Sequence, residues 1–335
     1  MHGINLGGWL SQCDHAKERY ETFITEDDIK VIQSWGLDHI RVPVDYDLIE
    51  EADGTYKEDG FVYIQRALDW AKKYGLNMIL DLHKTYGFSF DEGEGEVGFF
   101  ENPAYQERFI KLWEEFAKRF GSHADMLCFE LLNEVTDQEY CETWNRILTD
   151  CVKRIRKIAP TIGILVGGYW NNSIKSLKDL CPPYDEHIIY NFHFYEPLIF
   201  THQGAYWIPK MDTSFRMPFA STYAEYAKNT DEMIGQHFDE ADLFPADQVL
   251  GTEYFETYFA EAIRVAGERN VALYCGEYGV INLVDDAATL QWYEAICSFF
   301  DRYGIGRAAW SYKEMDFGIA DAHMDAIRAK LLKLL

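Results

Sequence analysis

Eight short apolar runs, rich in β-branched and aromatic residues and separated by amphipathic stretches, constrain this chain more than any other feature. They lie at 2–8 (HGINLGG), 38–44 (DHIRVPV), 77–83 (NMILDLH), 126–134 (MLCFELLNE), 162–168 (IGILVGG), 187–195 (HIIYNFHFY), 272–279 (ALYCGEYG) and 307–312 (RAAWSY). Runs that are apolar throughout, rather than alternating, read as strands covered on both faces. Between them, apolar residues recur at helical spacing. In 103–120, Phe109, Leu112, Trp113, Phe116 and Phe120 share one face, and in 140–159 Trp144, Ile147, Leu148, Cys151, Val152 and Ile155 do so, with Pro160 ending the run. Further helices are expected near 26–35, 61–75, 255–270, 286–304 and 322–334, with a shorter one near 173–180. Such stripes are core packing and carry no function of their own.

Eight β-then-α units in series predict an α/β fold: a (β/α)₈ TIM barrel occupying 1–335 as a single catalytic domain. An open doubly wound sheet would show a glycine-rich phosphate turn early in the chain, and NLGGW matches that pattern poorly. The rhythm breaks once. From Pro197 to Tyr254 the sequence is polar, aromatic and acidic, too long for an ordinary connection, and we expect a small helical subdomain (197–254) inserted after strand six. A second long loop, 84–102, carries an acidic, glycine-rich stretch expected to be mobile.

Composition excludes some partners. A net charge of −25 opposes nucleic acid and anionic membranes, whereas a neutral polymer is indifferent to it. No apolar run is long enough to cross a bilayer. Seven cysteines without close pairing or metal-site spacing fit buried apolar positions and a reducing compartment. No signal peptide is visible, so the protein is expected to be cytoplasmic, or secreted with its leader trimmed.

Chemistry concentrates at the strand ends, the face on which barrels of this kind build their sites. Strand two ends near Arg41, strand three at His83, strand four at Asn133 and Glu134, strand six at His193 and Tyr195, strand seven at Glu277, and strand eight carries Trp310. Each could be a local accident. A histidine at a strand end is often a satisfied core residue, and Arg41 could simply neutralise Glu130, which is expected to be a buried structural carboxylate. Two carboxyls from different strands nevertheless match what cleavage of a glycosidic bond requires: one to protonate the leaving oxygen, one to meet the oxocarbenium-like centre from the opposite side. Arg41 and the Tyr195 hydroxyl are placed to hold Glu277 as a carboxylate, and His193 to tune Glu134. Asn133 offers an amide to a sugar hydroxyl, and Trp310 a flat face to a pyranose ring. Trp9, Trp170, Trp207 and Phe317, with Lys313, are further aromatic and polar candidates around the mouth.

The ordered set HIRVPVDY, LDLH, FELLNE, YNFHFY, YCGEYGV and AAWSYKEMDFG, spanning Gly3 to Gly318, resembles glycoside hydrolase family 5, also called cellulase family A. NLGGWLSQ and the insertion after HFYEP resemble its clostridial and rumen-type endo-β-glucanases. The resemblance implies a retaining double displacement with Glu134 as acid/base and Glu277 as nucleophile. It further implies Arg41, His83, Asn133, His193, Tyr195 and Trp310 around the cleaved sugar, no cofactor, and a monomer acting on β-1,4-glucan and mixed-linkage β-1,3-1,4-glucan. The family also holds β-mannanases and exo-β-1,3-glucanases. Two other classes stand as alternatives. One is a metal-dependent barrel hydrolase or isomerase with His83, Glu134, His193 and Glu277 as ligands, which Arg41 in the mouth opposes. The other is a non-catalytic glucan-binding protein.

Overall fold

The computed structural model describes residues 1–335 except Glu92, Glu94 and Glu96. The acidic stretch expected to be mobile therefore falls partly outside the described residues. Eight parallel strands close into a barrel in chain order: β1 His2–Asn5, β2 His39–Asp45, β3 Asn77–Lys84, β4 Leu127–Glu130, β5 Gly163–Val166, β6 Ile188–Phe194, β7 Ala272–Tyr278 and β8 Gly306–Ala309. Closure is made by β1 pairing with both β2 and β8, so no strand edge is left open.

Long helices cover the barrel at Glu58–Tyr74, Pro103–Phe120, Cys141–Arg156, Thr252–Arg269 and Asp286–Tyr303. Their ends follow local chemistry. Asn102 accepts from the Ala104 amide with Pro103 at the first helical position, Asp285 accepts from Ala287 and Ala288, and Gly75 and Gly304 close two C-termini with left-handed backbone. Two expected helices are different in kind. Segment 173–180 forms a 3₁₀ helix, Ile174–Asp179, and 322–334 is broken into Ala322–Met324 and Arg328–Leu331. In the second case the Arg328 guanidinium donates to the carbonyls of Ile319, Ala320 and Asp321, which ties the segment back on the preceding loop.

The barrel interior is layered because inward side chains recur every second residue along a strand. At the bottom lie Ile79, Leu165, Tyr274 and Ala308, a small apolar cluster, with Gly3 beneath the His39 ring. Two residues further along each strand the layer turns polar: Asn5, Arg41, Asp81 and Asn191, with Glu130 from β4, all fully buried. Arg41 therefore does not end its strand, as the sequence reading had it; β2 runs on to Asp45 and leaves Arg41 in the floor. Two more residues up come His83 and His193, at the mouth. The segment 197–254 contributes the helix Tyr223–Met233, whose Thr222 and Glu225 form a reciprocal cap, and the 3₁₀ turn Asp239–Leu243. Among the described residues no helix is long and apolar enough to cross a membrane, and all seven cysteines are free thiols.

Candidate active site

Above the polar layer lies a cavity of about 1010 Å³, lined by His83, Asn133, Glu134, His193, Glu277 and Trp310 among others. It sits at the upper end of the range of small-ligand sites, about 300–1,000 Å³. All eight residues singled out from the sequence meet in or directly beneath it, although β4 ends at Glu130 and β8 at Ala309. Asn133, Glu134 and Trp310 thus stand on the irregular chain just past their strands, where the Asn133 amide still donates to Leu82 and the Trp310 amide to Tyr278.

Glu277 reaches the cavity through a bulge. Phe192 pairs with Cys275 but His193 pairs with Glu277, so Gly276 is skipped and the next side chain turns inward. Only glycine suits the skipped position, because a Cβ there would fall 2.7 Å from Asn191 Oδ1. Gly279 likewise lets the Trp310 carbonyl approach to where a Cβ would be 2.5 Å away.

Arg41 organises the floor. Its Nε and Nη2 each donate to one oxygen of Glu130 at 2.7 Å, Nη2 also reaches Asn133 Oδ1 at 2.8 Å, and Nη1 donates to Asn5 Oδ1 at 2.8 Å and Glu277 Oε1 at 2.7 Å. Asp81 Oδ2 lies 3.1 Å from Nη2. Burial works against the guanidinium charge, but Asp81 and Glu130 outweigh it and hold the group protonated. Burial pushes Asp81 up to about 7 and raises Glu130, with Arg41 opposing in both. Glu130 is the structural carboxylate expected, and Arg41 serves it and Glu277 together.

The two mouth carboxyls are treated differently. Glu277 receives Arg41 at one oxygen and the Tyr195 hydroxyl, at 3.0 Å, on the other. Among the described residues no Lys or Arg pairs directly with Glu134. His193 Nδ1 lies 2.6 Å from its Oε1, and the Asn171 amide donates to Oε2 at 2.9 Å. Burial raises Glu134 to about 7, against the pull of Asn171. The carboxyl is protonated below that value and ionised above it, so a reaction that draws its proton from Glu134 should fall away above about pH 7. The alkaline limb of a pH–rate profile measures this.

Burial lowers His193 to about 4, so its ring is neutral at working pH. Its Nε2 is buried with no partner among the described residues, and an orphaned acceptor is easier to tolerate than an orphaned N–H; we place the proton on Nδ1, donating to Glu134. Nδ1 also lies 3.5 Å from Glu277 Oε2. His83 is oriented by Asp81, 2.6 Å from its Nδ1, and its ring stacks on Trp310 with centroids 6.0 Å apart and planes 2° from parallel.

Glu134, His193 and Glu277 each present one atom, all within 4.8 Å of one another. A cation could be imagined there, but Arg41 already occupies Glu277, and the 2.6 Å contact between His193 and Glu134 is a hydrogen bond rather than a shared metal. His83 instead pairs with Asp81. A second such group, His15, Asp45 and Asp47, lies in a separate small cavity that Lys84 also lines. The donor set of the mouth suits proton transfer.

The outer aromatics divide. Trp170, Trp207 and Phe317 line the cavity, the first two half-exposed. Trp9 is core: fully buried, stacked on Trp70, its indole N–H on the Tyr20 carbonyl. Lys313 pairs with Asp28 outside the cavity. Sequence reasoning passed over Asn5, Asp81, Asn171 and Asn191. Two of them had a signal: Asp81 and Asn191 sit two residues before His83 and His193, on the same strand faces, whereas the pairing of Asn5 with Arg41 appears only in the register of the barrel.

Comparisons with known proteins point to one family. The family described as Cellulase (glycosyl hydrolase family 5) matches residues 9–316. Cellodextrinase A of Ruminococcus flavefaciens is 46% identical over 92% of this chain and 84% of its own length. Endoglucanase C of Acetivibrio thermocellus is 38% identical over 99% of this chain and 97% of its own. Among solved structures, an endoglucanase of Thermotoga maritima superposes with a TM-score of 0.79 at 23% identity, covering 100% of this chain and 96% of that one, a likeness of fold.

Proposed function

Because the chain belongs to glycosyl hydrolase family 5, the cellulases, we propose that it is a retaining endo-β-1,4-glucanase in which Glu277 is the nucleophile and Glu134 the acid/base. The observation that carries this is the pair itself: one oxygen of each carboxyl within 4.8 Å of the other, both residues lining the cavity. That closeness supports retention, for which carboxyls about 5–5.5 Å apart are typical, over inversion, which places a water between carboxyls about 6.5–9.5 Å apart.

In the first step, Glu134 gives its proton to the glycosidic oxygen as the bond to the anomeric carbon breaks, while Glu277 forms a new bond to that carbon. In the second, Glu134, now ionised, takes a proton from water as the water oxygen displaces Glu277. The environments suit the roles: a carboxyl titrating near 7 can alternate between acid and base, and one supplied with a guanidinium and a hydroxyl donor suits an ionised nucleophile. Asn133 uses its carbonyl oxygen on Arg41, which leaves its N–H₂ for the sugar 2-hydroxyl. Trp310, braced by His83, gives the ring its apolar floor.

The substrate reading is β-1,4-glucan and mixed-linkage β-1,3-1,4-glucan. Both similar relatives are named for glucan chains, one for cellodextrins and one for endo-cleavage. We read 197–254 as an inserted subdomain that walls one end of the cleft: Tyr206, Trp207, Phe238 and Glu240 line the cavity, and Glu240 is bridged to Lys175 at 2.8 Å. The test is a product profile on carboxymethylcellulose, lichenan, laminarin and mannan, with the anomer of the first product followed by NMR. A rapid fall in viscosity of carboxymethylcellulose with β-anomeric product is expected. Activity confined to mannan or laminarin would overturn the substrate, and a first-formed α-anomer would overturn the mechanism.

A further inference from the structure

Between β5 and the 3₁₀ helix Ile174–Asp179 the backbone does something costly. Trp170, Asn171 and Asn172 have φ of 52°, 55° and 55°, three successive non-glycine residues in the left-handed region. Each such residue costs roughly 1–2 kcal/mol, and strain of this kind persists only where its surroundings over-determine it. Here they do. The Asn171 amide N–H donates to the carbonyl of Val135, the residue after Glu134, and Ser173 bridges to His193. The turn is thereby pinned to the two chain segments that carry Glu134 and its histidine. Gly167 and Gly168 make room for it, since a Cβ on either would fall 2.1 Å from Asn172 Oδ1 or Ser176 Oγ.

The consequence is that Asn171, although exposed, delivers its side-chain amide to Glu134 Oε2 at 2.9 Å, on the oxygen that His193 does not use. We propose that Asn171 is a positioning residue for the acid/base, holding the ionised form of Glu134 ready to take the proton of the attacking water in the second half of the reaction. The inference rests on the assignment of Glu134 above.

The chemistry of the group fits. The ionised carboxylate needs two donors, and His193 supplies one and Asn171 the other. Burial drives Glu134 toward the protonated form, and the Asn171 bond is the first opposing influence. Of the other groups facing it, Arg41 draws it down and Asp91, which also lines the cavity, pushes it up, while Glu277, Asp81 and the Tyr195 hydroxyl share the same surroundings. An amide is also the right chemical type for a group that changes charge during turnover. It attracts the carboxylate without the fixed charge that a lysine would place beside a developing oxocarbenium centre.

Two variants remove the bond without disturbing the turn. Asn171→Gly deletes the side chain at a φ that glycine adopts freely, and Asn171→Asp keeps the shape but replaces a donor by an acceptor. We expect both to move the alkaline limb of kcat/KM on cellotetraose upward, by about half a pH unit or more, as loss of one hydrogen bond to a charged group implies. On 2,4-dinitrophenyl β-cellobioside, whose leaving group needs no proton, the acid limb of kcat should move upward as well, with a several-fold loss at pH 6 that recovers at pH 8. The shift should be larger for Asp, which adds a like charge. Rates that fall at every pH with both limbs fixed would reduce Asn171 to a structural residue and overturn the proposal. Glu134→Gln separates the two levels. If it keeps wild-type activity on cellotetraose, the acid/base assignment fails; if it is inactive while the Asn171 variants leave the limbs in place, only the inference about Asn171 fails.

Discussion

Glu277→Gln is expected to lower kcat on cellotetraose by roughly 10⁴- to 10⁶-fold, the scale on which removal of a nucleophile acts. The substitution keeps the volume but removes the negative charge. The new amide would face Arg41 Nη1 and the Tyr195 hydroxyl, both of which now donate to the carboxylate at 2.7 and 3.0 Å. No neighbouring group can replace it: Glu130 lies in the floor with both oxygens on Arg41, and Glu134 is on the other side of the gap. Binding should survive, because Trp310, Asn133 and the outer cavity are untouched, so KM changes far less than kcat. Chemical rescue distinguishes the two carboxyls. In Glu277→Ala, azide can enter the vacated space and attack the anomeric carbon directly, giving an α-glycosyl azide. In Glu134→Ala, the glycosyl-enzyme still forms from an activated aryl glycoside, and azide then displaces Glu277 to give the β-azide. Products of the reverse configuration, identified by NMR, would exchange the two roles.

The order and number of strands were legible because each is apolar throughout, as burial on both faces demands, and because the helices between them keep a 3.6-residue stripe. The site was legible for a related reason: Glu134, His193 and Glu277 end runs that have no other use for a polar group. Depth was not legible. Arg41 and His83 look alike as polar residues in apolar strands, yet Arg41 is one layer below, because strand two continues four residues past it to Asp45 whereas strand three ends one residue after His83. Register was not legible either. Parity along β7 puts Tyr274 and Gly276 inward, and only the bulge brings Glu277 to the same face. A glycine in mid-strand is the sequence trace of such a bulge, but it does not say which residue is skipped. Trp9 was misplaced because an aromatic near a strand end reads the same whether it points to the mouth or into the helix layer. The role of Asn171 depends on three left-handed residues in a row, and Trp-Asn-Asn carries no signal strong enough to predict them.

The largest effect on stability should come from Arg41→Leu. This one guanidinium touches Asp81, Glu130 and Glu277, at 3.1, 2.7 and 2.7 Å, inside the barrel. Taking away one partner of a buried ion pair costs about 3–5 kcal/mol, because the remaining charge stays desolvated, and here three carboxyls lose their cation together. Leucine fills part of the volume but offers no donor to any of them. Asn5 and Asn133 lose a donor to their carbonyl oxygens as well. The loss should depend on pH in a definite direction. Burial already raises Asp81, to about 7, and Glu130, with Arg41 opposing in both cases, so its removal raises them further. A carboxyl whose folded-state affinity for protons exceeds its unfolded one contributes stability that is complete below the unfolded value and disappears as pH rises through the folded one. The variant should therefore approach wild-type stability near pH 4 and fall progressively behind it toward pH 8, as read from urea unfolding at each pH. Arg41→Lys should recover little, since a single ammonium cannot place five donors along Glu130, Asn133, Asn5 and Glu277 at once. A constant difference between variant and wild type from pH 4 to 8 would mean that packing, not charge, makes Arg41 necessary. The polar layer would then be a scaffold rather than the electrostatic base on which Glu277 depends.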